Sequence, residues 1–332
     1  MSGLITGKMT LESIGKSIKK NKLLYYAKNL LRRLVPVIFY QSRLQKKLAR
    51  INEYDKAYLL DRLSYYNRLK PITPLGDKAI PLNKLPLFKS PKVYNFDTFE
   101  YTRYFPGSLK ANFLFGDVQH FEKVPTIQKS RPVTGDQTNA ILLKLDKKRH
   151  FVFIKDTIPF QQKKDMVIGR GTVSQPHRIR FWDMYFNHPM FNLGQVNKTG
   201  GNTAWLKPKI PISKHLEYKF ILSLEGHDVA TNLKWIMSSN SIAVMPTPVY
   251  ETWFMEARLI PDHHYIHINS DYTNVEEKLN YYMQNPEQAM QIIKNANNYV
   301  SQFLDKGRED LLSLLVLEKY FYCTGQIESV SI

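Results

Sequence analysis

The chain has 332 residues, of which 43% are hydrophobic and 13% aromatic; that is enough for one large core or two of ordinary size, and it excludes a disordered or collagen-like chain. A single cysteine, Cys323, excludes an intramolecular disulfide framework and cysteine-based zinc sites and points to a reducing compartment. The net charge of +18 admits nucleic acid, an anionic membrane or an anionic small substrate, and it is concentrated at the front: the first 50 residues carry 12 Lys and Arg against one acid, Glu12.

The start lacks the apolar core and small-residue cleavage site of a secretory signal, and the apolar run Leu34–Tyr40 is interrupted by Pro36, so no bilayer-spanning segment is expected. Residues 10–34 have the spacing of an amphipathic helix with Thr10 as N-cap. Leu11, Ile14, Ile18, Leu24, Ala27, Leu31 and Leu34 fall on one side, with Lys16, Lys19, Lys20, Lys22, Lys28, Arg32 and Arg33 largely elsewhere. Such a helix either lies on an anionic membrane or packs on its own domain. A second basic stretch, Arg43 to Arg50, runs on through Leu59, Leu60 and Leu63 as another helix. Five prolines between Pro71 and Pro91 then mark an irregular connecting segment.

Strands are expected at Asn112–Gly116, Ala140–Leu145 and His150–Ile154, as parts of a first α/β domain. Asp117 follows the first of them, where α/β proteins keep reacting groups; it is either a general base or a turn-capping residue. Met166–Ile168 is a short strand running into Gly169-Arg170-Gly171-Thr172-Val173-Ser174-Gln175-Pro176-His177-Arg178. Its glycines, hydroxyls and arginines suit a pyrophosphate, but it is neither a Walker loop nor a G-x-G-x-x-G fingerprint.

The stretch from Glu217 onward organises the rest. A strand from Tyr218 to Leu224 ends at Glu225-Gly226, a helix covers about 229–238, and a second strand runs from Ser241 to Met245 before Pro246 and Pro248. This makes a β-α-β unit with parallel strands, and Gly226 either opens a ligand-binding turn or simply ends a strand. The His263-His264-x-x-His267 pattern lies in a β-favouring run where His264 points away from its neighbours, so it reads as a structural strand and not as a metal site. Trp235, Trp253 and Phe254 read as core. Residues 274–304 and Asp310–Tyr322 read as closing helices.

Phe115-Gly-Asp117, Lys129-Ser-Arg-Pro132, Arg149-His-Phe151, Gly169-Arg-Gly-Thr172, Leu224 to Trp235 and Tyr250-Glu-Thr-Trp-Phe254 together resemble glycosyltransferase family 90, over roughly residues 100–300. The closest branch is the bacterial one that modifies lipopolysaccharide. The resemblance implies an α/β, GT-B-like fold: two Rossmann-like domains facing a cleft, with a helical N-terminal extension. On that reading 1–65 is the basic extension, 66–165 the acceptor-side domain, 166–305 the nucleotide-sugar domain and 306–332 a terminal helix packing back.

It further implies a metal-independent, inverting enzyme that needs no cofactor and uses a UDP-sugar as donor substrate. Asp117 matches the catalytic base, while Arg170, Gly171, Thr172, Ser174 and Arg178 match the diphosphate-binding block. Gly226, Asn232 and Lys234 fall in the second donor block, and Glu251 in the block assigned to the ribose. Eukaryotic members carry Ala-Ser-x-Arg where this sequence has Ala230-Thr231-Asn232, so a phosphate-facing arginine is replaced, with Lys234 and a helix N-terminus as candidate substitutes. The implied partners are a UDP-sugar, a lipopolysaccharide core acceptor and an anionic membrane surface, but no nucleic acid, and the implied location is the cytoplasmic face of the inner membrane. A catalytically inactive membrane scaffold and a basic nucleic-acid-binding protein are the alternatives from other classes.

Overall fold

The computed structural model describes residues 24–332; the predicted cap at Thr10 and the helix as far as residue 23 lie outside them. Residues 24–34 are helical (α1). They dock through their polar side: Tyr25 Oη donates to Asp97 at 2.8 Å, and Arg32 pairs with Glu100. Leu24, Leu31 and Leu34 are left exposed, so the apolar stripe faces outward. Beyond Pro36 come the short helices α2 (Val37–Gln41) and α3 (Leu44–Leu48). The continuous helix predicted onward from Arg43 is broken by a 3-10 turn, and α4 (Lys56–Tyr66) restarts at Asp55, whose carboxylate accepts the Tyr58 N–H at 3.0 Å.

In the first half, β1 (Ile80–Pro81) precedes α5 (Lys92–Thr102), and β2 (Lys110–Leu114), β3 (Thr126–Gln128), β4 (Ser130–Pro132) and β5 (Ala140–Leu142) follow. The sheet order is β1-β2-β3-β5, with β2, β3 and β5 parallel and β1 antiparallel on the edge. The strand predicted at His150–Ile154 does not form. A one-turn helix α6 (Lys147–His150) ends at His150, and residues 151–154 run as irregular chain with their apolar side chains packed on the core.

The second half holds β6 (Lys164–Gly171), α7 (Pro176–Tyr185), β7 (Phe191–Gln195), α8 (Ile212–His215), β8 (Tyr218–Leu222), α9 (Leu233–Met237), β9 (Ile242–Met245), β10 (Tyr250–Thr252) and β11 (Ile266–His267). Its five-stranded sheet is wholly parallel, in the order β11-β9-β8-β6-β7. Apolar residues follow one another along these strands because both faces are covered. Val167, Phe220, Ile242 and Val244 face α7 and the later helices, while Ile168, Ile221 and Ala243 join the core shared with α9 and the first sheet. The expected parallel pairing of β8 with β9 is present. The helix expected over 229–238 is reduced to the five residues of α9, and only Ile266–His267 of the histidine run is extended. Residues 262–264 form a turn in which Asp262 takes φ +55° and the Ile260 N–H donates to His264 Nδ1 at 2.9 Å.

Helices α10 (Val275–Gln284), α11 (Pro286–Ser301) and α12 (Lys306–Cys323) close the chain, and α12 packs on α3, α4 and α5. Two devices tie the halves together. The antiparallel ribbon β4–β10 sets Arg131 opposite Glu251. The buried Arg62–Glu309 pair, at 2.5 Å, sits beside Trp253, whose indole N–H donates to Glu309 at 2.6 Å and whose ring stacks on Tyr66 at 3.8 Å. Trp253 and Phe254 are therefore core, as expected.

Candidate active site

In the five-stranded sheet β6 sends the chain outward to β7 on one side and back to β8 on the other. The carboxyl ends of β6 and β8 thus flank the point where the strand order reverses, which is where parallel sheets hold ligands. Two cavities open there. One, of about 560 Å³, is lined by Ser174–His177, Ser223–His227, the loop after β9 from Met245 to Tyr250, and Ser270 and Tyr272. Its neighbour, of about 360 Å³, is lined by Gly169–Thr172, Arg178, Trp182, His215, Asn232 and Trp235.

Arg178 lines the smaller cavity and ties together the loops beside both. Its Nε donates to the Glu225 carbonyl at 2.8 Å, one terminal nitrogen to Thr172 O at 2.7 Å and the other to Leu224 O at 2.7 Å. The predicted phosphate arginine thus spends its fork welding the loop after β6 to the loop after β8, and only the second hydrogen of each terminal nitrogen remains for a ligand. Arg170 lies within β6, not in a loop. Its terminal nitrogens donate to Gly169 O, Asn192 O and Asn192 Oδ1, its buried Nε has no partner, and no carboxylate pairs with it among the described residues. A half-buried guanidinium with a spare N–H and no counter-charge suits an anion. Thr172 lines the same cavity, and Ser174 and Gly226 line the larger one. Gly171 faces open space: a Cβ there would meet only Arg178, at 3.7 Å.

Three predicted donor residues have their polar groups engaged within the protein. Lys234 is fully buried and paired with Glu256, so it does not replace the missing arginine. Asn232 borders the smaller cavity, but its amide donates to Leu222 O at 2.9 Å and its oxygen accepts from Ser223 Oγ at 3.1 Å. Glu251 is fully buried, accepting from Arg131 Nε at 2.7 Å and from Tyr65 Oη. The reason is strand parity: Tyr250 borders the larger cavity, so the next residue along β10 points the opposite way.

Asp117 lies two residues before Gln119, which lines the larger cavity. Gly116 takes φ +117°, a conformation that favours glycine, and turns the chain out of β2. The Asp117 carboxylate then accepts from Lys129 Nζ at 2.7 Å, and two residues on Gln119 donates to the carbonyl of His227, both of these residues bordering the cavity. Lys129 also lies 2.7 Å from Asp228, which accepts from Ser130 Oγ at 2.5 Å. Burial raises the Asp117 pKa, but the hydrogen bond and charge of Lys129, with Arg149 and His227 further off, outweigh it and leave it below the ordinary value.

The sequence reading assigned no role to Glu225, which borders the larger cavity. Its carboxylate accepts the N–H groups of Val249 and Tyr250 at 3.2 and 3.1 Å, and burial pushes its pKa up to about 7. Nor did it assign roles to Lys129, Asp228 and Gln119. The available signal was a lysine, Lys129, in a segment rich in short strands, which needs a carboxylate partner once buried.

The sequence profile of Glycosyl transferase family 90 matches residues 177–320. Over 304 residues the chain is 38% identical to the O-glucosyltransferase LpsA of Dichelobacter nodosus, an alignment covering 91% of this chain and 95% of that relative. The chain belongs to glycosyltransferase family 90. As a family 90 glycosyltransferase the protein needs room for a sugar donor and a glycan acceptor, and the matched residues include α7, the loop after β8 and the loop after β9. They stop short of Asp117 and Arg170, which the longer alignment to the relative does not by itself assign a role. Among the described residues no helix is long and apolar enough to cross a membrane.

Proposed function

We propose that this transferase moves a sugar from a UDP-sugar to a hydroxyl of a lipopolysaccharide core, inverting the anomeric carbon without a metal, in a GT-B-like arrangement of an acceptor-side domain (66–165) and a donor domain (166–305). The observation that carries the reading is the placement of Asp117. Its Oδ1 is held by Lys129, its Oδ2 has no hydrogen-bond partner among the described residues, and the residue stands where the loop lining the larger cavity meets the first sheet. A carboxylate anchored through one oxygen and open at the other is poised to accept a proton.

In the reaction the acceptor oxygen forms its bond to the anomeric carbon from the face opposite the nucleotide, and its proton passes to Asp117. The bond from that carbon to the phosphate oxygen breaks, and its electron pair leaves with UDP. Arg170, the remaining Arg178 N–H groups, Thr172, Ser174 and the backbone around Gly171 and Gly226 are the groups suited to stabilise that charge. Glucose is the sugar named for the relative in Dichelobacter nodosus, and it is the donor sugar proposed here. The lipopolysaccharide acceptor follows the branch whose motifs the sequence resembles. The outward-facing apolar stripe of α1 supports peripheral attachment at the cytoplasmic face of the inner membrane.

The test is UDP release by the purified full chain, with EDTA present, from a panel of UDP-sugars and a lipopolysaccharide core acceptor. UDP-glucose is expected to turn over, and Asp117→Asn to lower kcat by about 10²–10⁴-fold while UDP still binds. If no UDP-sugar turns over or binds, the reading fails; if Asp117→Asn keeps its activity, the base is another group.

A further inference from the structure

The loop that carries Asp117 and the loop that lines the donor cavity come from different sheets, and one buried ammonium joins them. Lys129, 1% exposed and between β3 and β4, lies 2.7 Å from Asp117 and 2.7 Å from Asp228. The two carboxylates differ in setting. The Asp117 side chain is 36% exposed, whereas that of Asp228 is 4% exposed and held also by Ser130 Oγ. Asp228 closes a tight turn, its carbonyl accepting the N–H of Gly226 at 2.7 Å, and Gly226 and His227 border the 560 Å³ cavity. A buried lysine costs free energy unless paired, and pairing with two carboxylates leaves the cluster one negative charge to distribute. With Oδ1 of Asp117 fixed on the ammonium, Oδ2 keeps one direction open.

We infer that Lys129 is the positioning residue for the base: it holds Asp117 ionised with Oδ2 free, and through Asp228 it keeps that carboxylate in register with the turn bordering the donor cavity. The inference rests on the reading of Asp117 as the base and adds a residue that touches neither substrate. When Asp117 takes the acceptor proton, the ammonium keeps Asp228 as its counter-charge, so no uncompensated charge is left buried during the step.

The groups acting on Asp117 come from several elements. Lys129, Arg149 and His227 favour its ionised form. Asp117 in turn helps to raise the pKa of Asp228 after β8 and of Asp146 before α6, a like-charge repulsion that is mutual, and the phenol of Tyr94 on α5 lies in the same cluster. Removing the ammonium and removing the second carboxylate therefore push Asp117 in opposite directions. Lys129→Met keeps the stem and deletes the charge; Asp228→Asn keeps the shape and deletes a competing anion.

The experiment is the pH profile of kcat/KM for UDP release by the full-length wild type, Lys129→Met, Lys129→Arg, Asp228→Asn and Asp117→Asn, each checked by thermal unfolding. The acidic limb is expected to move up by about one pH unit in Lys129→Met, with kcat reduced about 10- to 100-fold. It is expected to move down in Asp228→Asn and to stay near wild type in Lys129→Arg. Wild-type limbs in both Lys129→Met and Asp228→Asn, or shifts in the same direction, overturn the inference. Should Lys129→Met fail to fold, Lys129→Gln, which also deletes the charge, is read in its place: an upward shift of the acidic limb decides for the inference and a wild-type limb against it. An active Asp117→Asn instead removes the base reading itself, and an inactive one with unshifted limbs elsewhere removes only the role of Lys129.

Discussion

Glu225 illustrates how one side chain would set the pH response of the cavity proposed for the nucleotide. Burial raises its pKa to about 7 against the pull of two backbone N–H groups, with Glu256 and Asp228 adding to the rise. Near neutrality the carboxyl is therefore divided between neutral and ionised forms, and on the proposed reading the ionised form would repel a nucleoside diphosphate in the cavity it borders. Binding of UDP is expected to weaken by about three- to tenfold as pH rises from 6 to 8. Glu225→Gln should bind at pH 8 nearly as well as at pH 6, with both proteins' affinities corrected for the titration of UDP itself; calorimetric titration at both pH values checks this. The stability linkage has the same sign. The folded pKa lies above the unfolded 4.5, so the contribution of Glu225 is full below 4.5 and is lost as pH rises through about 7.

At the scale of the element, β6 and β7 are what aim Arg170. Its guanidinium crosses toward β7 and donates to Asn192, and Gly194, its partner in register, leaves the space. A Cβ on Gly194 would come within 2.6 Å of Lys207 Cβ and 2.9 Å of Arg170 Cδ and Nε. Gly194→Ala is expected to displace Arg170 and cost about 1–3 kcal/mol of stability. Its donor KM should rise several-fold while the acidic limb of the pH profile stays in place, and denaturant unfolding together with initial rates over a UDP-sugar concentration series checks both. Helix α9 makes the complementary point. Its apolar spacing predicted about ten residues, but after the turn through Gly226 and Asp228 residues 229–232 run on as a bend and a second turn, and the Asn232 side chain is spent on Ser223 and Leu222 before the helix begins.

Across the whole molecule the two sheets are joined by the β4–β10 ribbon, the buried Arg131–Glu251 pair and the Lys129 bridge, while the front of the chain presents a different surface. Leu30, Leu31, Leu34, Val37, Ile38 and Phe39 are all exposed, and α2 buries none of its residues. Arg33 and Arg43 are exposed beside them. An apolar ridge with a cationic rim has the composition of a surface that lies in the headgroup region of anionic bilayers. The full chain is expected to co-sediment with vesicles containing anionic phospholipid and less with neutral ones. The double variant Leu34→Glu, Ile38→Glu should lose about tenfold or more in vesicle affinity, given about 1.5–3 kcal/mol for each buried apolar side chain. Unchanged partitioning of that variant would remove the ridge as the anchor.

Strand parity and apolar runs are local properties, and by themselves they determined the parallel pairing of β8 with β9, the short strand inside β6 and the closing helices, while the family was carried by its motif blocks. The position of Asp117 just past β2 was legible for the same reason, whereas Arg170, expected just past a strand, lies inside β6 because the pairing with β7 extends that strand to Gly171. The direction of Glu251 was not, because one residue of register on a three-residue strand exchanges cavity for core. Nor was the occupation of Arg178 and Lys234 by Thr172, Leu224, Glu225 and Glu256. Residues 117, 129 and 228 meet only because two sheets and a ribbon bring three distant loops together; pairing between groups so far apart in the chain is fixed by topology, and no local pattern of sequence carries it.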